Sequence, residues 1–142
     1  MPKSTLNPLP RLGIKLLPEG ILDYVQTEDR KFIRYGYWEK GNRGTVIILT
    51  GRAEYIEKYN FVIQEFLDRN FSVLCIDWRG QGLSEKMIDD KHKQYIEDFS
   101  IHNSDLEFII NEIIIKNFKQ PLIGIGHSMG CLLYTSDAAD DL

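Results

Sequence analysis

The sequence has little of what would make a disulfide scaffold, a metal protein or a nucleic-acid binder. Two cysteines in 142 residues, Cys75 within an apolar run and Cys131 near the end, form neither a disulfide framework nor a metal-ligand cluster, so no metal or cofactor is expected. Seventeen Lys and Arg against 21 Asp and Glu leave a formal net charge of -4. No stretch is basic enough to restore locally the cationic field that nucleic acid requires, so nucleic acid is not an expected partner, and no obligate protein partner is evident. Long apolar runs are also missing. Leu12-Gly13-Ile14-Lys15-Leu16-Leu17-Pro18 is broken by Lys15 and closed by Pro18, which argues against a signal peptide or a spanning helix and makes a cytoplasmic location the expectation. Histidine is scarce, with only His92, His102 and His127.

What is present suits one globular domain: 43% hydrophobic and 27% charged residues. After a Pro-rich irregular arm through Gly20, Leu22 to Thr27 and Lys31 to Trp38 alternate apolar with polar residues around the turn-prone Glu28-Asp29-Arg30. That pattern predicts an antiparallel hairpin with one wet face. Thr45-Val46-Ile47-Ile48-Leu49, Phe71 to Ile76 and Pro121 to Ile125 are instead continuous apolar runs, the signature of strands buried on both faces of a parallel sheet. Between them, Tyr59, Val62, Ile63, Phe66 and Leu67, and then Leu106, Ile109, Ile110, Ile113 and Ile114, recur at helical spacing. Ser104-Asp105-Leu106-Glu107 reads as a capping box for the second helix, whose start could lie a few residues earlier. Alternating buried strands and helices give an α/β class: a mostly parallel sheet, a leading antiparallel hairpin at one edge, and helices on both faces.

The third buried run stops at Gly126-His127-Ser128-Met129-Gly130. A serine hydroxyl becomes a nucleophile only when a base takes its proton and when it is presented to a carbonyl carbon. A tight strand-to-helix turn does the presenting, provided the positions two before and two after lack bulk, as Gly126 and Gly130 do. Three fixed positions at about 7% each would produce G-x-S-x-G by chance on the order of once in twenty such chains, so the preceding strand carries much of the weight. An oxyanion hole must accompany it. Its expected donors are the backbone N–H of Met129, at the start of a helix, and that of Arg52 in the loop after the first buried run, Thr50-Gly51-Arg52-Ala53-Glu54. The plainer alternative makes Arg52 only a solvated surface charge. Asp77-Trp78-Arg79-Gly80-Gln81-Gly82-Leu83-Ser84 is read as a structural turn, its glycines Gly80 and Gly82 allowing compactness and Asp77 pairing with Arg79.

On these motifs, together with Asp98-Phe99 and Asp105-Leu106, the sequence resembles the α/β-hydrolase superfamily in its lysophospholipase and monoacylglycerol-lipase-like branch. The resemblance implies hydrolysis of carboxylic esters of lysophospholipids or monoacylglycerols through an acyl-enzyme on Ser128, with a small-molecule or lipid ester as partner and peripheral contact with a membrane through that substrate. Relatives often place His-Gly where this chain has Thr50-Gly51.

The family order is nucleophile, then acid, then histidine. Twelve residues follow Gly130 and none is a histidine. His92 lies in a polar stretch and His127 inside the elbow, so neither they nor His102 suits the role of base. The tail Cys131 to Asp141 resembles the conceptual translation of a common sequencing adapter. Residues 1–130 are therefore read as the N-terminal part of a hydrolase domain, 131–142 as a non-native tail, and the fragment itself as inactive. Two alternatives remain open: a non-catalytic binding protein on the same fold, and a dinucleotide-binding domain built on Gly124-x-Gly126, for which Met129 stands where the third glycine belongs.

Overall fold

β-Branched side chains are restricted at χ1 and pack well on a pleated surface, so short continuous runs of them favour strands. These are β1 (Ile21–Gln26), β2 (Phe32–Trp38), β3 (Thr45–Leu49), β4 (Ser72–Ile76) and β5 (Leu122–Gly126). In the computed structural model, which describes residues 18–86 and 100–128, they form one sheet in the order β1-β2-β4-β3-β5. β4, β3 and β5 run parallel, while β2 is antiparallel to β4 and β1 to β2. The parallel core with an antiparallel hairpin at one edge is thus present as the patterning predicts.

Side-chain alternation divides the core in two. Val46, Ile48, Val73 and Cys75 face α1 (Asn60–Asp68), which contributes Ile63 and Leu67 and is entered through a 3-10 turn at Ile56–Tyr59. Ile47, Leu49, Leu74 and Ile76 face α2 (Ser100–Ile109) and its π-helical continuation Ile110–Ile114, through Leu106, Ile109, Ile110 and Ile114. Each such fully buried aliphatic side chain contributes about 1.5–3 kcal/mol. The chain leaves β3 for β4 on one side and returns to β5 on the other, so the two connecting helices cover opposite faces. The loop after β3 and the residues after β5 consequently emerge side by side at the carboxyl ends of adjacent strands, where open α/β sheets place their ligands.

Three local expectations are corrected. β2 has no wet face: Ile33 packs on the α2 side while Arg34 and Trp38 are buried on the α1 side. The reason is that both faces of this interior strand pack into core, Ile33, Tyr35 and Tyr37 on one side and Trp38 on the other. Conversely β5, read as buried on both faces, is only half-buried with Ile123 exposed, because among the described residues β3 is its single neighbour. Ser104 is not a cap. α2 already includes Ser100, and the Ser104 hydroxyl donates back to the Ser100 carbonyl at 3.1 Å, as mid-helix hydroxyls do.

Candidate active site

β5 ends at Gly126, level with Leu49 at the end of β3, and the His127 N–H donates to the Leu49 carbonyl at 3.2 Å. That bond holds the chain beside β3 for one further residue. Ser128 then turns into the left-handed region at φ +54°, a conformation that costs a non-glycine residue about 1–2 kcal/mol, and its side chain is exposed. Met129 and Gly130, expected as oxyanion donor and second elbow glycine, lie outside the described residues, as do Cys131, His92, Asp98 and Phe99.

The loop after β3 is held from several directions. Thr50 is fully buried; its hydroxyl donates to the Ile76 carbonyl at 3.1 Å, and its own carbonyl accepts the Trp78 indole N–H at 2.7 Å. The Gly51 N–H donates to Glu54 Oε1 at 2.6 Å, the Ala53 N–H to Gln81 Oε1 at 2.5 Å, and the Glu54 N–H to the Gly51 carbonyl at 3.3 Å. Arg52 has an exposed side chain, and its N–H has no acceptor among the described residues. Gly51 has no room for a side chain, since a Cβ there would sit 2.4 Å from Glu54 Oε1 and 3.0 Å from the His127 carbonyl oxygen.

The turn after β4 is built around Asp77, but not through the pair expected from sequence. Asp77 Oδ2 accepts from Arg34 Nη1 at 3.1 Å and from the Leu83 N–H at 3.0 Å, and Oδ1 accepts from the Ile56 N–H at 2.9 Å. Arg79 instead turns to the α2 side. Its Nε and Nη2 donate to Asp105 at 3.0 and 2.8 Å, and its Nη1 and Nη2 to Asp29 at 2.6 and 2.9 Å. Two residues apart in a strand would share a face, but the turn that begins at Trp78 ends the strand period and sends the two charges to opposite sides of the sheet. Gly80 and Gly82 have φ values of +80° and +54°, and a Cβ on Gly82 would lie 2.3 Å from the Asp77 carboxylate. Burial pushes the Asp77 carboxyl up to about 6, against the pull of Arg34 and of the Leu83 and Ile56 N–H groups.

Two described histidines have other partners than the serine. His102 is buried edge-on against Trp78 with ring centroids 5.3 Å apart, and burial, helped by the Arg79 charge, lowers it to about 4. His127 Nδ1 lies 2.9 Å from Glu54 Oε1. Sequence reasoning missed Glu54, Arg34 and Glu57 as anchoring groups. For Glu57 a signal existed, because it falls in helical register with the buried Asn60, Ile63 and Leu67. The dinucleotide reading fails on geometry: Gly124 lies within β5, paired with Ile47, and cannot make the strand-to-helix turn that the first glycine of that motif requires.

Among the described residues no helix is long and apolar enough to cross a membrane. The sequence matches the family described as serine aminopeptidase, S33, over residues 40–141, a span that takes in the tail segment. It is 30% identical over 97 residues to a probable lysophospholipase L2 of Haemophilus influenzae, covering 68% of this chain and 30% of that protein. Against the lysophospholipase L2 of Escherichia coli K12 it is 33% identical over 91 residues, covering 63% of this chain and 26% of that one. The chain thus spans less than a third of the length of these relatives. Among solved structures, a soluble variant of monoglyceride lipase from Saccharomyces cerevisiae, in complex with a substrate analog, superposes with a TM-score of 0.69 at 22% identity, over 87% of this chain and 40% of that one. A thioesterase domain from the curacin biosynthetic pathway gives the same TM-score at 20% identity, over 87% of this chain and 42% of that one. With a strand order, a serine at left-handed φ after β5 and a sequence match that all point one way, the chain belongs to the serine aminopeptidase S33 family of α/β hydrolases.

Proposed function

We propose that the full-length protein hydrolyses carboxylic esters, of lysophospholipid or monoacylglycerol type, through an acyl-enzyme on Ser128. The observation that carries this reading is the placement of Ser128, at φ +54° after β5, next to a loop in which the N–H groups of Gly51, Ala53 and Glu54 have acceptors and that of Arg52 has none among the described residues. An N–H left open on a loop that adjoins the turn bearing Ser128 suits an oxyanion hole.

In the reaction, a base takes the Ser128 proton as Oγ attacks the ester carbonyl carbon, and the π pair moves onto the carbonyl oxygen. The Arg52 and Met129 N–H groups bond to that developing charge. Collapse of the tetrahedral species expels the alcohol, which takes the proton back from the base, and leaves the acyl group on Oγ. Water then repeats the sequence and releases the carboxylic acid. No histidine follows Ser128 in the 142 residues. We assign the base and its acidic partner to sequence beyond these residues, with 131–142 as a non-native tail, and the lipid substrate brings the protein to a membrane surface.

The test is the full-length protein, recovered from the genomic sequence downstream of the Gly130 codon. A fluorophosphonate probe is expected to label Ser128, and Ser128→Ala to abolish both labelling and hydrolysis of lysophospholipid, monoacylglycerol and short-chain nitrophenyl esters. A folded full-length protein that resists the probe would favour a binding protein on this fold. The 142-residue chain alone is expected to turn over no ester.

A further inference from the structure

Glu54 takes no direct part in the proposed chemistry. It is 7% exposed, and its Oε1 accepts from the Gly51 N–H at 2.6 Å and the Tyr59 hydroxyl at 2.8 Å while lying 2.9 Å from His127 Nδ1. A single carboxylate oxygen therefore joins the loop after β3 to the elbow after β5, two segments 73 residues apart in sequence. Burial raises the Glu54 carboxyl, but the bonds from His127, Tyr59 and Gly51 outweigh it and hold the group down to about 2. An ionised carboxylate only accepts, so His127 must present Nδ1–H to it, which fixes the tautomer and the ring plane of the residue preceding Ser128.

We propose that Glu54 is a positioning residue that locks the loop bearing Arg52 to the elbow bearing Ser128, fixing the span across which the oxyanion hole must close. This rests on the reading of Ser128 as nucleophile. The fit is tight on both sides, since any Cβ on Gly51 would meet both Glu54 Oε1 and the His127 carbonyl oxygen. The opposite side of the loop is tied by the Ala53 N–H to Gln81. Releasing the Glu54 tie removes the side-chain link between the loop and the elbow, while the backbone pairing of β3 with β5 involves no Glu54 atom. A misplacement of about 1 Å at such a site costs on the order of 100-fold in rate.

The experiment uses the full-length protein and three variants: Glu54→Gln, His127→Ala and the double variant. His127→Gln, whose amide can still donate, serves as the conservative rescue. Ser128 labelling of the wild type by a fluorophosphonate comes first, and failure there overturns the functional reading and the lock together. With labelling in place, Glu54→Gln and His127→Ala are each expected to lower kcat roughly 10- to 100-fold with KM within about threefold. Affinity for an alkyl boronic acid, whose tetrahedral adduct occupies the hole, should fall by the same factor as kcat. The double variant should be no worse than the poorer single one, and His127→Gln should recover most of the loss. A kcat unchanged in either single variant, losses that multiply in the double, or a kcat loss without a parallel loss of boronate affinity would each overturn the lock. Should Glu54→Gln fail to fold, His127→Ala decides alone, because that side chain is 68% exposed.

Discussion

The perturbation with the sharpest expected outcome is Arg34→Met. Arg34 lies between β2 and α1 with no exposed side-chain surface. Its Nη2 is 2.7 Å from both oxygens of Glu57, and its Nη1 is 3.1 Å from Asp77; both carboxylates are equally buried. Taking the cation away leaves two acids in a site with no exposed surface. Breaking a buried pair from one side costs about 3–5 kcal/mol, because the surviving charge is uncompensated. With a urea m-value of about 2 kcal/mol/M, the midpoint should fall by roughly 2 M.

The loss should also depend on pH in a definite direction. Burial already holds the Asp77 carboxyl at about 6 with Arg34 in place, and losing the guanidinium raises it further, so below about pH 6 folded Asp77 is protonated in both proteins and its titration adds little to the loss. The loss grows as pH rises from about 6 toward the higher value of the variant, by about 1.4 kcal/mol per pH unit. A second change, Glu57→Leu, added to Arg34→Met, should recover more than half of the loss at pH 7.5. Asp77 still has the Ile56 and Leu83 N–H groups, whereas the Glu57 carboxylate is bonded only to the guanidinium among the described residues. Urea titrations of the full-length protein at pH 5 and pH 7.5 read all of this. A loss below about 1 kcal/mol, or one of equal size at the two pH values, would refute the reasoning.

Other expectations follow from the same geometry. Gly82→Ala should cost about 3 kcal/mol or more by thermal melting, since it combines a left-handed φ with a Cβ driven into the Asp77 carboxylate, which Arg34 holds in place. The two partners of Arg79 should differ: Asp105→Ala, at a side chain 4% exposed, should cost several times more than Asp29→Ala, at one 57% exposed and screened by water, and chemical denaturation of the two variants gives the ratio. Glu54, held at about 2 against an ordinary 4.5, contributes stability that is present above the unfolded value and lost as pH falls from about 4.5 to about 2. The span corresponds to about 3 kcal/mol, so Glu54→Gln should flatten the acid limb of a stability profile, and a limb of unchanged slope would remove Glu54 as its source.

The strands, the helices and the hairpin were legible because burial imposes a period, and the period is written in neighbouring residues. Val46 and Ile48 against Ile47 and Leu49 already announce a strand covered on two sides, and that is how β3 sits between its helices. Long-range pairing is not written in this way. Arg34 reaches Glu57 across 23 residues and Asp77 across 43, distances that only the register of β2 on β4 makes short. Reasoning from proximity along the chain gave Asp77 the wrong partner for the same reason: Arg79 is two residues away in sequence but on the other side of the sheet. The candidate site divides along this line. The expectations for Ser128 and Arg52 rest on a turn and its glycines, which are local features, whereas the contact of Glu54 with His127 joins the ends of two strands and has no local signature. It follows that other anchoring groups of this family's sites should be sought less in the motifs themselves than among buried charged residues whose sequence neighbours offer them no counter-charge, as with Arg34 in the middle of an apolar strand.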